Sequence, residues 1–174
     1  MKNVQEDALE FGDSSAENKY LFFLVGGVLY AIEALKASEI VEYTSITKVP
    51  MMNSYVKGVT NIRGNIVPVI DLLKRFELGD TQKSDKTSIV VVNYNKGETP
   101  MQIGVIIDEV HEVDNIDPSD IKKAPEFGSK IHAKFILNMG KYDKKYIPIL
   151  NTDTILDVDE LSQLSVKRGS NGKI

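Results

Sequence analysis

The sequence contains no cysteine and no tryptophan, and each absence removes one class of site. Without cysteine the chain forms no disulfide and no thiolate metal site. Without tryptophan a large aromatic cage for a ligand is not expected. No apolar run approaches the ~20 residues that a membrane-spanning helix needs, and the acidic N-terminus lacks the apolar stretch of a secretion signal. We therefore expect a cytoplasmic protein that is not inserted in a membrane.

The chain of 174 residues also lacks an excess of positive charge, since 21 basic and 25 acidic residues give a net charge of −4. Proteins bind nucleic acids largely through basic contacts to phosphates, so no nucleic-acid partner is expected. The 42% of hydrophobic and 26% of charged residues are typical of a soluble globular protein. Residues 1–18 carry five carboxylates and few apolar groups, and this composition predicts a flexible N-terminal tail.

The residues that usually carry catalysis or bind metals are few and scattered. His111 and His132 have no partner at a metal-binding spacing. The acidic segment 108–117 lacks the glycine and the spacing of a calcium loop, and Ser88 and Ser162 lack the context of a nucleophile elbow. No catalytic residue, metal ligand or cofactor is therefore expected. An enzyme that uses the acidic segment is kept as a competing hypothesis.

Many short apolar segments alternate with turn-forming residues, and this pattern predicts a mainly β fold with a few short helices. The run "YLFFLV" at 20–25 is continuously apolar and predicts a buried strand. Segments 56–62 and 65–72 flank a turn at Arg63 and Gly64, and together they predict a β-hairpin. A barrel and a sandwich are both compatible with this succession of strands.

A weak internal repeat narrows the choice of architecture. The stretch "ITKVP" at 46–50 recurs as "IKKAP" at 121–125, and "VPVIDLL" at 67–73 recurs as "IPILNTD" at 147–153. A duplicated unit of this kind predicts two similar small barrels, each too small to be robust alone, so the two should share an apolar seam. The segment 79–88 contains no apolar residue and is the best candidate for a linker.

Two residues of the predicted hairpin are unusual for a simple pair of strands. Pro68 cannot donate to a β-ladder and so indicates an edge strand or a bulge, and Pro148 stands at the matching place in the second half. Arg63 beside Gly64 is a long cation on a tight turn. It is either a solvated or structural arginine, or an anchor for a protein partner, and the pattern alone leaves both roles open.

The stretch "VKGVTNIRGNIVPVIDLLKRFELG" closely resembles the signature of the CheW family, and the similarity extends from about Tyr20 to Leu164. Segments such as "YLFFL", "YAIEAL", "EIVEY", "IGVIIDEVHEV" and "YIPIL" fall in the family's order, while Asn53 and Ile62 depart from its usual residues. The resemblance implies a single CheW-like domain made of two SH3-like five-stranded β-barrel subdomains with a few short helices.

This resemblance and the repeat give the expected domain organisation. A flexible tail at 1–18 precedes a CheW-like domain at 19–164, and a C-terminal tail follows at 165–174. The two pseudo-repeated lobes are expected at approximately 19–80 and 86–160, and an exchange of strands between the lobes is left open.

The resemblance also implies a function. CheW-like proteins are non-enzymatic cytoplasmic adaptors that couple the cytoplasmic tips of methyl-accepting chemotaxis receptors to the regulatory domain of the histidine kinase CheA. They are recruited to receptor arrays at the inner membrane surface. Since no kinase or receiver segment is present, the family pattern favours a stand-alone adaptor. The alternative is a scaffold or ligand-binding β-barrel outside chemotaxis.

Partner-binding residues are carried over from the family motif and are expected to lie near a groove between the lobes. An apolar groove flanked by charge is suited to seating an amphipathic receptor helix. Arg63 would reach into this groove, where it can pair with Glu39 or with a carboxylate or carbonyl of the receptor tip. The expected residues are Ala37, where the family commonly has valine, and Glu39, Ile40, Gly58, Arg63, Val110 and Val113.

Overall fold

The computed structural model describes residues 17–50, 52–125 and 130–157. It contains two short helices, α1 (Leu72–Arg75) and α2 (Thr152–Ile155), and each begins within two residues of the end of a strand. The described strands are β1 (Lys19–Val25), β2 (Val28–Glu33), β3 (Ala37–Glu42), β4 (Val56–Ile62), β5 (Asn65–Asp71), β6 (Ser88–Lys96), β7 (Thr99–Ile107), β8 (Glu109–Asn115), β9 (Ile121–Lys122), β10 (Ile136–Tyr142) and β11 (Lys145–Leu150). Most of the predicted N-terminal tail, at 1–16, and the whole of the C-terminal tail lie outside the described residues.

The strands form two sheets, and this confirms the predicted mainly β fold with two subdomains and a few short helices. One sheet has six strands in the order β8-β1-β2-β11-β10-β9, and the other has five in the order β3-β6-β7-β5-β4. The sixth strand, β9, contains only two residues. Apart from β9, the two sheets have the same arrangement. The order β8-β1-β2-β11-β10 in one sheet matches the order β3-β6-β7-β5-β4 in the other, position by position.

Each sheet takes strands from both of the predicted lobes, 19–80 and 86–160, so strands are exchanged between the two, an arrangement that the prediction left open. The second strand of each half pairs with the last strand of the other half, because β2 runs parallel to β11 and β7 runs parallel to β5. Each sheet therefore contains strands from both halves of the chain. The apolar-free segment 79–88 joins α1 to β6 on the five-stranded side, so it is a loop within one lobe and not a linker between two.

Several central strands are buried on both faces, which explains their continuous apolar sequence. Leu21 and Phe23 belong to a large core cluster that both sheets share, while Phe22 packs into a separate cluster of the six-stranded sheet. In the other sheet, Val90 belongs to the shared cluster and Ile89 to a cluster of its own sheet. The shared cluster is the apolar seam between the lobes, and strands beside it lose the alternation of a half-exposed sheet.

The prolines do not lie on edge strands, so the edge-strand alternative of the prediction was wrong. Both β5 and β11 are internal strands of their sheets. Pro68 directly precedes the residue where the parallel ladder with β7 begins, Val69, and Pro148 directly precedes Ile149, which pairs with β2. The missing backbone donor therefore falls just before the second ladder begins, where an internal strand tolerates proline.

A buried arginine ties the two short helices together across the molecule. The Arg75 Nε donates to the Ile155 carbonyl oxygen at 2.9 Å, and its Nη2 donates to the Thr154 carbonyl oxygen at 2.9 Å. The guanidinium also lies over the rings of Tyr55, at 4.5 Å, and Phe135, at 4.8 Å. Arg75 thus satisfies carbonyls at the end of α2 that have no partner within the helix.

Candidate functional site

The β4–β5 hairpin turns at two residues with positive φ angles. Arg63 has φ 52° and Gly64 has φ 86°, as a two-residue turn between right-twisted strands requires. The Gly64 backbone N–H donates to the Asn61 Oδ1 at 2.9 Å, which fixes the turn. In the second lobe the equivalent β10–β11 turn uses Asp143 and Lys144, also with positive φ. The position of Arg63 is therefore a consequence of the hairpin geometry that the sequence predicts.

Arg63 forms an ion pair with Glu39, which lies on the edge strand β3. The Nε donates to the Glu39 Oε1 at 2.9 Å, with 79% of the arginine side chain exposed and 16% of the glutamate. Within the described residues the two Nη groups of Arg63 make no hydrogen bond. The arginine thus presents several free donors to a partner, while the carboxylate beneath it is largely withdrawn from water.

Gly58 has a structural reason to be glycine. The segment after β3 closes the barrel against β4, since Thr47 and Val59 exchange backbone hydrogen bonds of 2.8 and 2.9 Å. At this point Gly58 has φ 150°, and a Cβ on it would collide with the carbonyl oxygen of Thr47. The motif glycine therefore permits close backbone approach, and its contact with a partner stays a prediction.

The four apolar residues of the predicted site lie in or against one cluster. Ala37, Ile40 and Val110 are buried in the shared seam, and Val113 packs against it while partly exposed. They come from β3 and β8, which are edge strands of different sheets. Ala37, Ile40 and Val110 have almost no exposed surface. Of these four residues, only Val113 has enough exposed surface to contact a partner helix.

On β3, Glu39 of the ion pair lies on the opposite face from the apolar residues Ala37 and Ile40. Ala37 pairs with Val92 and Ile40 with Val90, whereas Glu39 pairs with Val91 because the register shifts between Ala37 and Glu39. Val92 and Val90 belong to the seam, and Val91 belongs to a cluster inside the five-stranded sheet. The predicted residues therefore fall into two separate groups, and one groove that holds both stays a prediction.

Sequence reasoning missed two exposed apolar side chains at equivalent places in the two lobes. Ile66 is 67% exposed and Tyr146 is 48% exposed. Each is the second residue of its strand, β5 or β11, two places before the repeated proline. The signal was present, because extending the repeat "VPVIDLL"/"IPILNTD" by one residue aligns Ile66 with Tyr146. Large exposed apolar residues of this kind often mark protein contacts.

The structure shifts the pKa values of Tyr30 and Asp117 from their ordinary values. Burial raises the pKa of Tyr30 in the seam. Hydrogen bonds from the backbone and hydroxyl of Ser119 lower the pKa of the Asp117 carboxyl, which caps the single turn that follows it. Among residues 17–50, 52–125 and 130–157, no three His, Asp or Glu side chains are grouped to hold a metal ion. The same ranges contain no helix long and apolar enough to cross a membrane.

A family model, sequence relatives and a solved structure all indicate the same protein family for this chain. A family model described as a CheW-like domain matches residues 19–160. The chemotaxis protein CheW of Bacillus subtilis is 33% identical over 85% of this chain and 92% of its own, and that of Helicobacter pylori is 33% identical over 84% and 86%. The crystal structure of a scaffolding protein, CheW of Thermoanaerobacter tengcongensis, is similar with a TM-score of 0.72 and 34% identity, covering 80% of this chain and 87% of that one.

Proposed function

This chain belongs to the CheW-like domain family, whose relatives are chemotaxis proteins and scaffolds, and we propose that it couples receptor tips to the regulatory domain of the histidine kinase CheA. The proposed role is that of a non-enzymatic adaptor in the cytoplasm, recruited to receptor arrays at the inner membrane surface. The observation that carries the proposal is the pair of equivalent exposed residues, Ile66 and Tyr146, one in each lobe.

The pair supports contact with the kinase through both lobes. The regulatory domain of the kinase has the same fold as its adaptor in this family, so homologous lobes can pack against each other pseudo-symmetrically. Ile66 and Tyr146 then give each lobe one apolar contact point. Such transient interfaces bury about 1,200 Å² or less, which is compatible with micromolar affinity.

Receptor binding is assigned to the surface around Arg63 and Glu39 and to the partly exposed Val113. Arginine is enriched among residues that dominate binding energy, and its planar donors recognise carboxylates and carbonyls. The largely withdrawn carboxylate of Glu39 holds the guanidinium at the turn. An amphipathic helix of the receptor would place a polar group on Arg63, while Val113, which belongs to the other group of predicted residues, would be a separate apolar contact.

Calorimetric titration of the kinase regulatory domain into three variants tests the kinase contact. We expect Ile66→Ser and Tyr146→Ser each to weaken binding by at least about tenfold, because each deletes an apolar contact in one lobe. Leu35→Ser is the matched control, since Leu35 is 57% exposed but lies at neither position. If all three variants bind the kinase domain as tightly as the unchanged chain does, Ile66 and Tyr146 are not kinase contacts.

A further inference from the structure

The charge of this chain is strongly segregated. Residues 1–18 contain one lysine and five carboxylates, so the remainder holds 20 basic and 20 acidic residues, and the whole net charge of −4 comes from the first 18 positions. Within that neutral remainder the charges separate again. Residues 108–120 contain six carboxylates and no lysine, whereas residues 121–146 contain seven lysines and two carboxylates.

Two lysines of the second segment, Lys122 and Lys141, lie on the outer side of the six-stranded sheet. Lys122 pairs with Met139, and Lys141 pairs with Tyr146, so these four side chains lie on one face. The intervening Gly140 pairs with a residue of the barrel interior, which identifies the other face as the inner one. We call the outer surface of Lys122, Met139, Lys141 and Tyr146, with Lys144 of the adjoining turn, the basic face.

The basic face combines unpaired positive charge with apolar surface. Lys122, Lys141 and Lys144 are exposed, and none of the three forms an ion pair with a residue that the structure describes. Tyr146 is 48% exposed and Met139 is partly exposed. A ligand that fits this surface carries several negative charges with large apolar side chains between them.

We propose that the acidic N-terminal segment of this same chain, "QEDALEFGD" at residues 5–13, docks on the basic face. It carries four carboxylates around Leu9 and Phe11. Like-charge repulsion disfavours the neighbouring segment 108–120, and attraction favours the lysines. The two apolar side chains would cover Tyr146 and Met139.

The segment is long enough to reach the basic face from the point where it joins the fold. The Asn18 carbonyl oxygen accepts from the Ile116 N–H at 3.0 Å, and Ile116 lies five residues before β9, whose Lys122 belongs to the face. Sixteen extended residues span up to roughly 50 Å, while a domain of this size has a radius of gyration of about 14 Å. The segment therefore reaches every part of the basic face.

Docking of this segment would regulate the proposed adaptor, a consequence that rests on the proposed function. It would cover Tyr146, one of the two residues assigned to kinase contact, and leave Ile66 in the other lobe free. A kinase domain would have to displace the segment from one lobe. Ionic strength and modification of the segment would then tune the affinity of that lobe alone.

Paramagnetic labelling of the full chain tests the docking directly. Because the chain has no cysteine, Ser14→Cys accepts a single nitroxide label. At about 0.1 M salt, where the screening length is about 10 Å, we expect the amide signals of Lys122, Lys141 and Lys144 to lose most of their intensity. At about 1 M salt, where it is about 3 Å, the signals should recover.

Charge variants of the labelled full chain give the matched controls. Neutralising the segment with Glu6→Gln, Asp7→Asn, Glu10→Gln and Asp13→Asn should abolish the broadening, and so should Lys141→Glu with Lys144→Glu. Lys48→Glu with Lys57→Glu changes two exposed lysines elsewhere and should leave the broadening intact.

Three results would overturn the proposal. The first is that broadening at low salt is absent or is spread evenly over the surface, and the second is that it persists after the segment is neutralised. The third is that it arises only between labelled and unlabelled molecules, which would mean that a second copy occupies the basic face. The measurement needs no partner, so its failure leaves the proposed adaptor function untouched, and loss of kinase binding would not affect its outcome.

Discussion

Glu39 and Arg63 are joined by a 2.9 Å hydrogen bond that links the edge strand β3 to the turn between β4 and β5. The two side chains differ greatly in exposure, 16% for the carboxylate and 79% for the guanidinium. An ion pair with one solvated partner contributes at most about 1 kcal/mol to stability. The arrangement therefore holds a cation ready at the surface and contributes little to the fold.

Replacing this cation separates binding from stability. We expect Arg63→Ala to change the free energy of unfolding by about 0.5 kcal/mol or less, and to weaken binding of a receptor-tip fragment by about 2 kcal/mol, or thirtyfold. Urea denaturation and calorimetry on the same preparations measure both quantities. Lys57→Ala, an exposed cation on the adjacent strand, is the control. A large stability loss with receptor affinity retained would make Arg63 a structural residue.

Arg75 should behave in the opposite way. Arg75→Met keeps much of the side-chain length but leaves the Thr154 and Ile155 carbonyls without their donor, and it removes the cation over two aromatic rings. We expect a loss of about 2–4 kcal/mol in the free energy of unfolding. The denaturant dependence should show a lower midpoint with an unchanged slope. A loss under about 0.5 kcal/mol would refute the role given to this arginine.

The glycines offer a test of the barrel closure. Gly58→Ala adds a Cβ that collides with the Thr47 carbonyl, so we expect it to cost more than about 2 kcal/mol of stability. Gly97→Ala is the matched control, because Gly97 also has positive φ but a Cβ at this position would meet no atom within 4 Å, and it should cost about 1 kcal/mol. Thermal unfolding compares the two variants. Equal losses would mean that backbone conformation alone, and not close approach, requires glycine at 58.

An adaptor should not process nucleotides. Incubated with radiolabelled ATP, the purified chain is expected neither to release labelled phosphate nor to acquire label itself. Stoichiometric labelling of His111 or His132 is the result that would contradict this expectation. It would favour the competing hypothesis of an enzyme.

Local structure was largely predictable from the sequence, while strand pairing was not. The hairpin at Arg63 and Gly64 follows from local turn chemistry and alternation, and the structure has it where the sequence predicts it. The exchange of strands between the halves depends on parallel pairings such as Ile149 with Ala31, which join residues far apart in sequence. The equivalent parallel pairing of β5 with β7 makes Pro68 a residue of an internal strand, which no local pattern reveals.

One contact within the candidate site was predicted from the sequence, and the binding role of its residues stays a prediction. The possible pairing of Arg63 with Glu39 is present in the structure. Glu39 and Ile40 lie on opposite faces of β3, as adjacent residues of a strand do, and a register shift between Ala37 and Glu39 also separates Ala37 from the carboxylate. A one-residue shift changes the face of every following side chain, and nothing in the local sequence at Ser38 predicts it.

Sedimentation velocity of the chain with a kinase regulatory domain and a receptor-tip fragment tests the central claim most directly, since an adaptor must hold both partners at once. We predict a species containing all three components. The Arg63→Ala variant should keep the kinase domain and lose the receptor fragment. If the unchanged chain sediments with neither partner, or with only one at a time, it does not couple receptors to a kinase and the account is contradicted.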